Sequence, residues 1–391
     1  MRRFIFAVIL IQLAACGNTG GTKNAIDSGK TAKNQISNKT ESKGEPVPKN
    51  TNLTAFAHFI AGMKDSNAMP ATRKNMWLNF ANNTNEKWKV LTDRIGAKIE
   101  NWVKENPQEI KNEPATLFYP FAGGDFYYAN LFFPKQDTVI MIGLEPGGSI
   151  FDPSKVSDTT MLRYYGNLDH TMFFPHRLGF FRTKSMANDF NRGPLNGTLH
   201  TVLFYIARAG YNIHYITHFN LDKDGNETEI VSAADMNKKT KRIAYKVGYA
   251  LPNSNIVKEV IYISYDASDG YLKEHTGLMN WLGKRNKMVT FFKAASYLMH
   301  ETYFNIVRNF VKTHTVRLLQ DDSGLPYQFM LDNGFKVTLL GEYTRTIKLF
   351  AGRFQPKMKK EYAAQKPAKL PFLIGYNAEF KECNMQSAVK Q

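Results

Sequence analysis

Cysteine occurs only twice in 391 residues, at Cys16 and Cys383, which excludes a disulfide scaffold and every multi-cysteine zinc module. Acids are scarce beside bases: 34 Asp and Glu face 51 Lys and Arg, a formal net charge of +17. No apolar run approaches the roughly 20 residues that a membrane-spanning helix needs. There is no P-loop, no G-x-S-x-G elbow and no internal repeat. His300-Glu301 begins an H-E-x-x-H, but Phe304 stands where the second histidine belongs, so zincin chemistry is excluded as well. What remains is 43% hydrophobic and 22% charged residues, the balance of a globular chain, with 28 Phe, 19 Tyr and 4 Trp to fill an aromatic core.

The N-terminus carries the most specific pattern. Arg2 and Arg3 precede an uncharged run from Phe4 to Ala15, the proportions of a secretory signal. The run ends in Leu13-Ala14-Ala15-Cys16, which resembles the lipobox of bacterial lipoproteins. That resemblance implies cleavage before Cys16, a diacylglycerol thioether on its sulfur, acylation (palmitate-type) of its amino group and attachment to the membrane. Several acyl chains hold firmly where one does not, since each buried CH₂ adds about 0.8 kcal/mol. Gly17 follows in place of a retention aspartate, which points to the outer membrane of the cell envelope. Residues 17–52 are rich in Gly, Asn, Thr, Ser and Lys and cannot bury enough surface to offset their ordering entropy. The expected organisation is therefore a signal peptide at 1–15, a lipidated cysteine and disordered tether at 16–52, and one globular domain at 53–391.

Within that domain the periodicities mix. Leu53, Phe56, Ala57 and Ile60 recur at helical spacing, and Trp88, Leu91, Ile95, Ile99, Trp102 and Val103 form an apolar stripe, with Asn83 and Glu86 as its capping box and Pro107 as its stop. Residues 116–121 and 138–145 read as strands around a short helix from Asp125. Residues 198–209 read as a helix closed by Gly210, and 211–221 as a strand returning through the turn Asp222–Asn226. Ile243 to Leu251 alternates strictly, with 257–265 as its neighbour. Met288, Phe291, Phe292, Ala295, Leu298, Met299, Ile306 and Phe310 read as one strong helix, followed by short strands at 315–320, 335–341 and 346–350. The predicted class is α/β or α+β: one mixed sheet with flanking helices, N-terminal helices packed beside it, and a Rossmann-like βαβ start.

Two constellations could carry chemistry. Tyr119-Pro120-Phe121-Ala122-Gly123-Gly124-Asp125, followed by Gly143-Leu144-Glu145-Pro146-Gly147-Gly148, reads as strand, glycine turn, helix, and strand ending in an acid. It is similar, over residues 116–148, to the cofactor-binding start of Rossmann-like methyltransferases. The resemblance implies Gly123 and Gly124 under a cofactor and Glu145 on its ribose, although Tyr119 stands where that pattern has an acid. The second constellation is Gln320-Asp321-Asp322-Ser323-Gly324. Adjacent carboxylates at a strand end can split their pKa values and act as acid and base, or they can cap turns. With Gly341-Glu342-Tyr343-Thr344-Arg345, this segment resembles uncharacterised bacterial envelope proteins, which implies no activity.

His214 and His218 on one strand, and His275 near Asp266 and Asp269, lack a converging third ligand or a settled partner. Eight aromatics in 118–133 read as core, with sugar stacking as the alternative. No metal and no resident cofactor is expected. Residues 53–391 keep 43 basic against 31 acidic residues, and 336–391 alone hold eleven against four. Export removes nucleic acid as a partner and leaves anionic glycans, lipids or acidic proteins. The leading expectation is a membrane-anchored, non-catalytic binding or accessory protein for such a partner. The alternative is an envelope enzyme using Asp321 and Asp322, or a degenerate methyltransferase fold.

Overall fold

A computed structural model describes residues 49–63, 73–178, 190, 193–231 and 243–391. The signal segment, Cys16 and nearly all of the tether lie outside them.

Three helices open the described chain: α1 (Thr51–Ile60), α2 (Lys74–Leu91) and α3 (Ala97–Glu105). Asn50 caps α1 by accepting from Leu53 N at 3.1 Å, three residues before the expected domain start. The stripe from Trp88 to Val103 runs through a π-turn at Thr92–Gly96 that joins α2 to α3. Asn83 and Glu86 are thus interior to α2 and cap nothing; Asn83 instead donates to Asp169.

Then come β1 (Thr116–Pro120), α4 (Phe126–Phe132), β2 (Thr138–Gly143), α5 (Asp158–Leu178), α6 (Leu199–Arg208), β3 (Asn212–Leu221), β4 (Glu227–Ile230), β5 (Ala244–Ala250) and β6 (Lys258–Ser264). The second half runs α7 (Asp269–Glu274), α8 (Gly277–Gly283), β7 (Met288–Phe292), α9 (Asn305–His314), β8 (Thr315–Gln320), α10 (Tyr327–Asp332), β9 (Phe335–Gly341), α11 (Pro356–Gln365) and β10 (Asn384–Lys390).

All ten strands form one sheet in the order β4-β3-β5-β6-β2-β1-β7-β8-β10-β9. Its centre, β6-β2-β1-β7-β8, is parallel; β3, β4 and β5 add an antiparallel wing, and β10 runs antiparallel between β8 and β9. In chain order the central strands stand third, second, first, fourth, fifth, the order of a Rossmann sheet. The fold is α/β, one mixed sheet flanked by helices, and its start is a βαβ unit.

Alternation across the pleat sorts the core into two layers. Leu117, Tyr119, Val139 and Met141 face the layer beneath α1 to α6, while Phe118, Ile140 and Ile142 face the layer beneath α7 to α9. Every described element belongs to one compact unit, residues 45–391, whose sheet and both core layers are complete within it. Helix α6 is buried from Leu199 to Ala207, and glycines let it sit that deep. Leu199 N donates to Gly147 O and Thr198 N to Pro146 O, both at 2.9 Å.

Two further expectations fail. Residues 288–310 are not one helix: Met288–Phe292 is the fully buried strand β7, followed by a loop, and α9 starts only at Asn305. A short apolar run buried on both faces carries no period of its own, so it merged with the helix beyond it. The expected strand at 346–350 is instead a loop leading into a 3-10 turn at Lys348–Arg353.

A Cβ on Gly197 would lie 2.4 Å from Gly148 N and 2.5 Å from Pro146 O, whereas one on Gly166 inside α5 meets nothing within 4 Å. Gly197→Ala is expected to destabilise by about 1–3 kcal/mol, and Gly166→Ala to stabilise by about 0.5–1 kcal/mol. Urea unfolding of the two variants measures both; equal effects would remove the docking argument.

Candidate functional site

The carboxyl ends of the parallel strands converge on the side of the sheet where an open α/β fold takes its ligands, beside the point where the strand order reverses around β1. A cleft of about 100 Å³ opens there. It is lined by Phe121 after β1, Gly143 to Glu145 at the end of β2, Tyr265 to Ala267 after β6, and Ala294 to Ser296 after β7, with Leu298 and Phe304. A pocket for a drug-sized ligand measures roughly 300–1,000 Å³, so this one fits a single ring.

Two tight loops shape it. Phe121 and Gly123 have φ of 62° and 54°. After β7, Ala294, Ser296 and Tyr297 lie at φ 49°, 52° and 54°. Three left-handed non-glycine residues within four positions is strain that surrounding structure must hold in place.

The expected cofactor residues come together in part. A side chain at Gly123 would meet the Glu145 carboxylate at 3.5 Å, and one at Gly143 would meet Oε2 at 2.6 Å, so Glu145 lies over the glycine turn. Glu145 is buried yet lines the cleft, and Tyr262 donates to its carbonyl at 2.8 Å. Gly124 faces elsewhere: its Cβ would strike Thr201 Oγ1 of α6 at 2.1 Å. Gly124 serves helix packing.

Asp321 and Asp322 are both buried and fully occupied in holding structure. Asp321 Oδ2 accepts from Ala294 N at 2.7 Å, and its Oδ1 from Ser323 N at 3.0 Å. Ala295 N donates to Ser323 Oγ at 2.7 Å. Asp322 accepts from Tyr297 OH and, at 3.0 Å, from Asn384 Nδ2. Tyr376 OH closes the set, accepting from Ser296 N at 3.0 Å and donating to Ala294 O at 2.8 Å. These carboxylates brace the loop behind the cleft and do not line it. Burial raises both pKa values, that of Asp322 to about 7 with the Asp321 charge adding to it.

Asp125 is likewise structural. Its Oδ2 lies 3.2 Å from Lys293 Nζ and accepts from Tyr119 OH at 2.9 Å, with both ionic side chains buried. Burial pushes the carboxyl up, and the Lys293 ammonium pulls it back. Tyr119, in the place where the methyltransferase pattern has an acid, thus orients the acid six residues on.

Three of the described histidines, His200, His218 and His275, bond backbone carbonyls. His200, which the sequence did not single out, bonds Tyr164 OH at 2.8 Å and Ser149 O at 2.9 Å, and burial drives it down to about 4. His218 Nε2 bonds Gly148 O at 2.9 Å. His275 stacks on Tyr271 at 3.8 Å, while Asp266 accepts from Ser268 N and Asp269 caps α9 through Asn305 and Ile306 N. Among the described residues no cluster could hold a metal ion. Of the aromatic run 118–133, only Phe121 reaches the cleft. Sequence reasoning missed Phe304 and the 294–298 loop, which it had placed inside a helix, and it gave Asp266 to His275 and not to the cleft.

Compared with protein-family models, with curated proteins and with solved structures, the chain matches none.

Because Asp322 titrates higher folded than its ordinary value of about 3.9, it contributes stability below that value that is lost as pH rises through about 7. Asp322→Asn removes this dependence. Melting temperatures across this range should show wild type losing ground to the variant as pH rises; parallel curves would contradict the assignment.

Proposed function

We propose that the protein is a lipid-anchored component of the bacterial cell envelope whose folded domain binds, without transforming, a single sugar ring of an envelope glycan in the cleft. The lining of the cleft carries this reading. Glu145 and Asp266 supply carboxylate acceptors for sugar hydroxyls, and Phe121, Tyr265 and Phe304 supply aromatic faces for the ring. Lysine, arginine and histidine are absent from that lining, which favours a neutral ligand there over the anionic one expected from net charge. The carboxylate pair proposed for catalysis is engaged elsewhere, which favours binding over turnover. Attachment rests on the Leu13–Cys16 pattern and export on the segment before it.

The strand order favours a second reading. The five-strand parallel order 3-2-1-4-5 with a cleft at its carboxyl ends supports a resemblance to methyltransferases beyond residues 116–148, in which Glu145 would meet ribose hydroxyls. The size of the cleft and the closure of Gly124 under α6 weigh against a whole nucleotide cofactor.

Thermal unfolding of residues 45–391 with neutral saccharides, S-adenosylmethionine and a dinucleotide separates the two. A ligand at a hundredfold excess over its Kd stabilises by about 2.7 kcal/mol. A saccharide shift that Glu145→Gln abolishes is expected; a Glu145-dependent shift with the cofactors alone would transfer the site to the second reading. The anchor is tested apart from this, by intact mass and membrane partitioning of the full chain against Cys16→Ser. An unlipidated wild type that partitions like the variant would end the lipoprotein assignment.

A further inference from the structure

We propose that the loops joining β9 to β10 form a second membrane contact, a basic and partly apolar patch that adsorbs to the surface of an anionic phospholipid bilayer. Leu349 is 75% exposed and Phe380 52%. Singly exposed apolar side chains are ordinary; here both sit among cations. Lys348 precedes Leu349, Lys381 follows Phe380, and both lysines are exposed. The Arg345 guanidinium lies 5.6 Å from the Phe380 ring centre. Asn377 Nδ2 donates to Arg345 O at 2.7 Å, and the Phe350 and Tyr376 rings lie 5.0 Å apart, so segments 345–350 and 376–382 run side by side.

Of the acids nearby, Glu379 is exposed beside Phe380, while the other two are engaged. Glu382 is buried and accepts from Thr344 N and Oγ1, both at 2.6 Å. Glu342 pairs with Lys369 at 2.8 Å. Beside this strip Lys359, Lys366 and Lys369 line a groove of about 350 Å³ with Glu342, Tyr343 and Thr344, room for a phosphate-bearing headgroup. A soluble polyanion without apolar groups would use the cations alone. Exposed Leu349 and Phe380 among them match a bilayer, which offers headgroup charge and an acyl boundary together.

Position adds a consequence. β9 ends and β10 begins at the carboxyl edge of the sheet, the edge that carries the cleft, so adsorption turns the cleft toward the lipid. Asn50 N bonds Ile213 O at the start of β3, on the opposite edge. The chain from Cys16 to Asn50 spans at most about 110–120 Å when extended, enough to allow that orientation. The patch does not depend on lipid at Cys16, and its test leaves the lipid out.

Residues 45–391 are sedimented with vesicles of phosphatidylcholine alone or with about 30 mol % phosphatidylglycerol, at about 0.1 M salt. Partitioning onto the anionic vesicles should be about tenfold stronger or more. Lys348→Glu with Lys381→Glu should remove most of it, and Leu349→Ser with Phe380→Ser should reduce it several-fold. Lys104→Glu with Lys111→Glu changes net charge equally, on exposed residues outside segments 345–350 and 376–382, and should leave binding intact. Melting temperatures confirm that the variants fold. Equal binding to neutral vesicles, or an equal loss in the Lys104/Lys111 control, would overturn the proposal. Binding indifferent to Leu349 and Phe380 would overturn it too, in favour of a soluble polyanion.

Discussion

Lys293 and Asp125 lie 3.2 Å apart with almost no solvent on either, at the point where the two halves of the sheet meet. Asp125 ends the glycine turn after β1, and Lys293 is the first residue past β7, the strand that sends the chain to the other side of β1. Removing both charges from water costs several kcal/mol per ion, so the pair holds only because its geometry is specific. Tyr119 OH donates to the carboxylate, and the Tyr128 ring lies 4.1 Å from the ammonium. Deleting one partner would strand a buried charge, a loss of about 3–5 kcal/mol. With both present, the two loops that shape the cleft are tied to each other across the switch point.

What hangs from that tie is strained. Ala294, Ser296 and Tyr297 adopt left-handed backbone, each at a cost of order 1–3 kcal/mol. In the same loop Ala294 N donates to Asp321, Ala295 N to Ser323 and Ser296 N to Tyr376, and the Tyr297 hydroxyl donates to Asp322. Adjacent acids that look like catalytic partners in sequence thus work as a brace, one holding the backbone of the loop and the other its last side chain. The energy that keeps both carboxylates buried goes into the shape of the β7 loop. A preorganised wall of this kind suits ligand binding, because little ordering remains to be done when the ligand arrives.

Legibility in the sequence followed solvent exposure and locality. Strict alternation at 243–251 and the glycine stop at Gly210 are local signals, and β5 and the end of α6 lie where they indicate. β7 was hidden because MVTFF is buried on both faces and abuts residues with true helical period. β10 was missed because Met385, Gln386 and Ser387 are buried polar and apolar alike, paired on both sides, which no alternation announces. The site was legible as two fragments, the glycine turn with Glu145 and the Asp321-Asp322 turn. Their roles were not, since those depend on Thr201, Tyr297 and Asn384, which are distant in sequence.

Charge is segregated by place in this molecule, and that separation bears on what it can bind. The cleft carries two acids and no base, while eleven Lys and Arg against four acids crowd the last 56 residues beyond β8. At ionic strengths near 0.15 M the field of a surface charge decays over about 8 Å, so the charges of the cleft's own lining weigh most on a ligand within it. An anion drawn to the basic loops would meet Glu145 and Asp266 at the cleft and be turned away. A neutral polyol meets no such barrier, and its hydroxyls can donate to the carboxyl oxygens of that lining. The same edge of the sheet can therefore face a negatively charged surface with its β9–β10 end while the cleft beside it selects for uncharged hydroxyl groups.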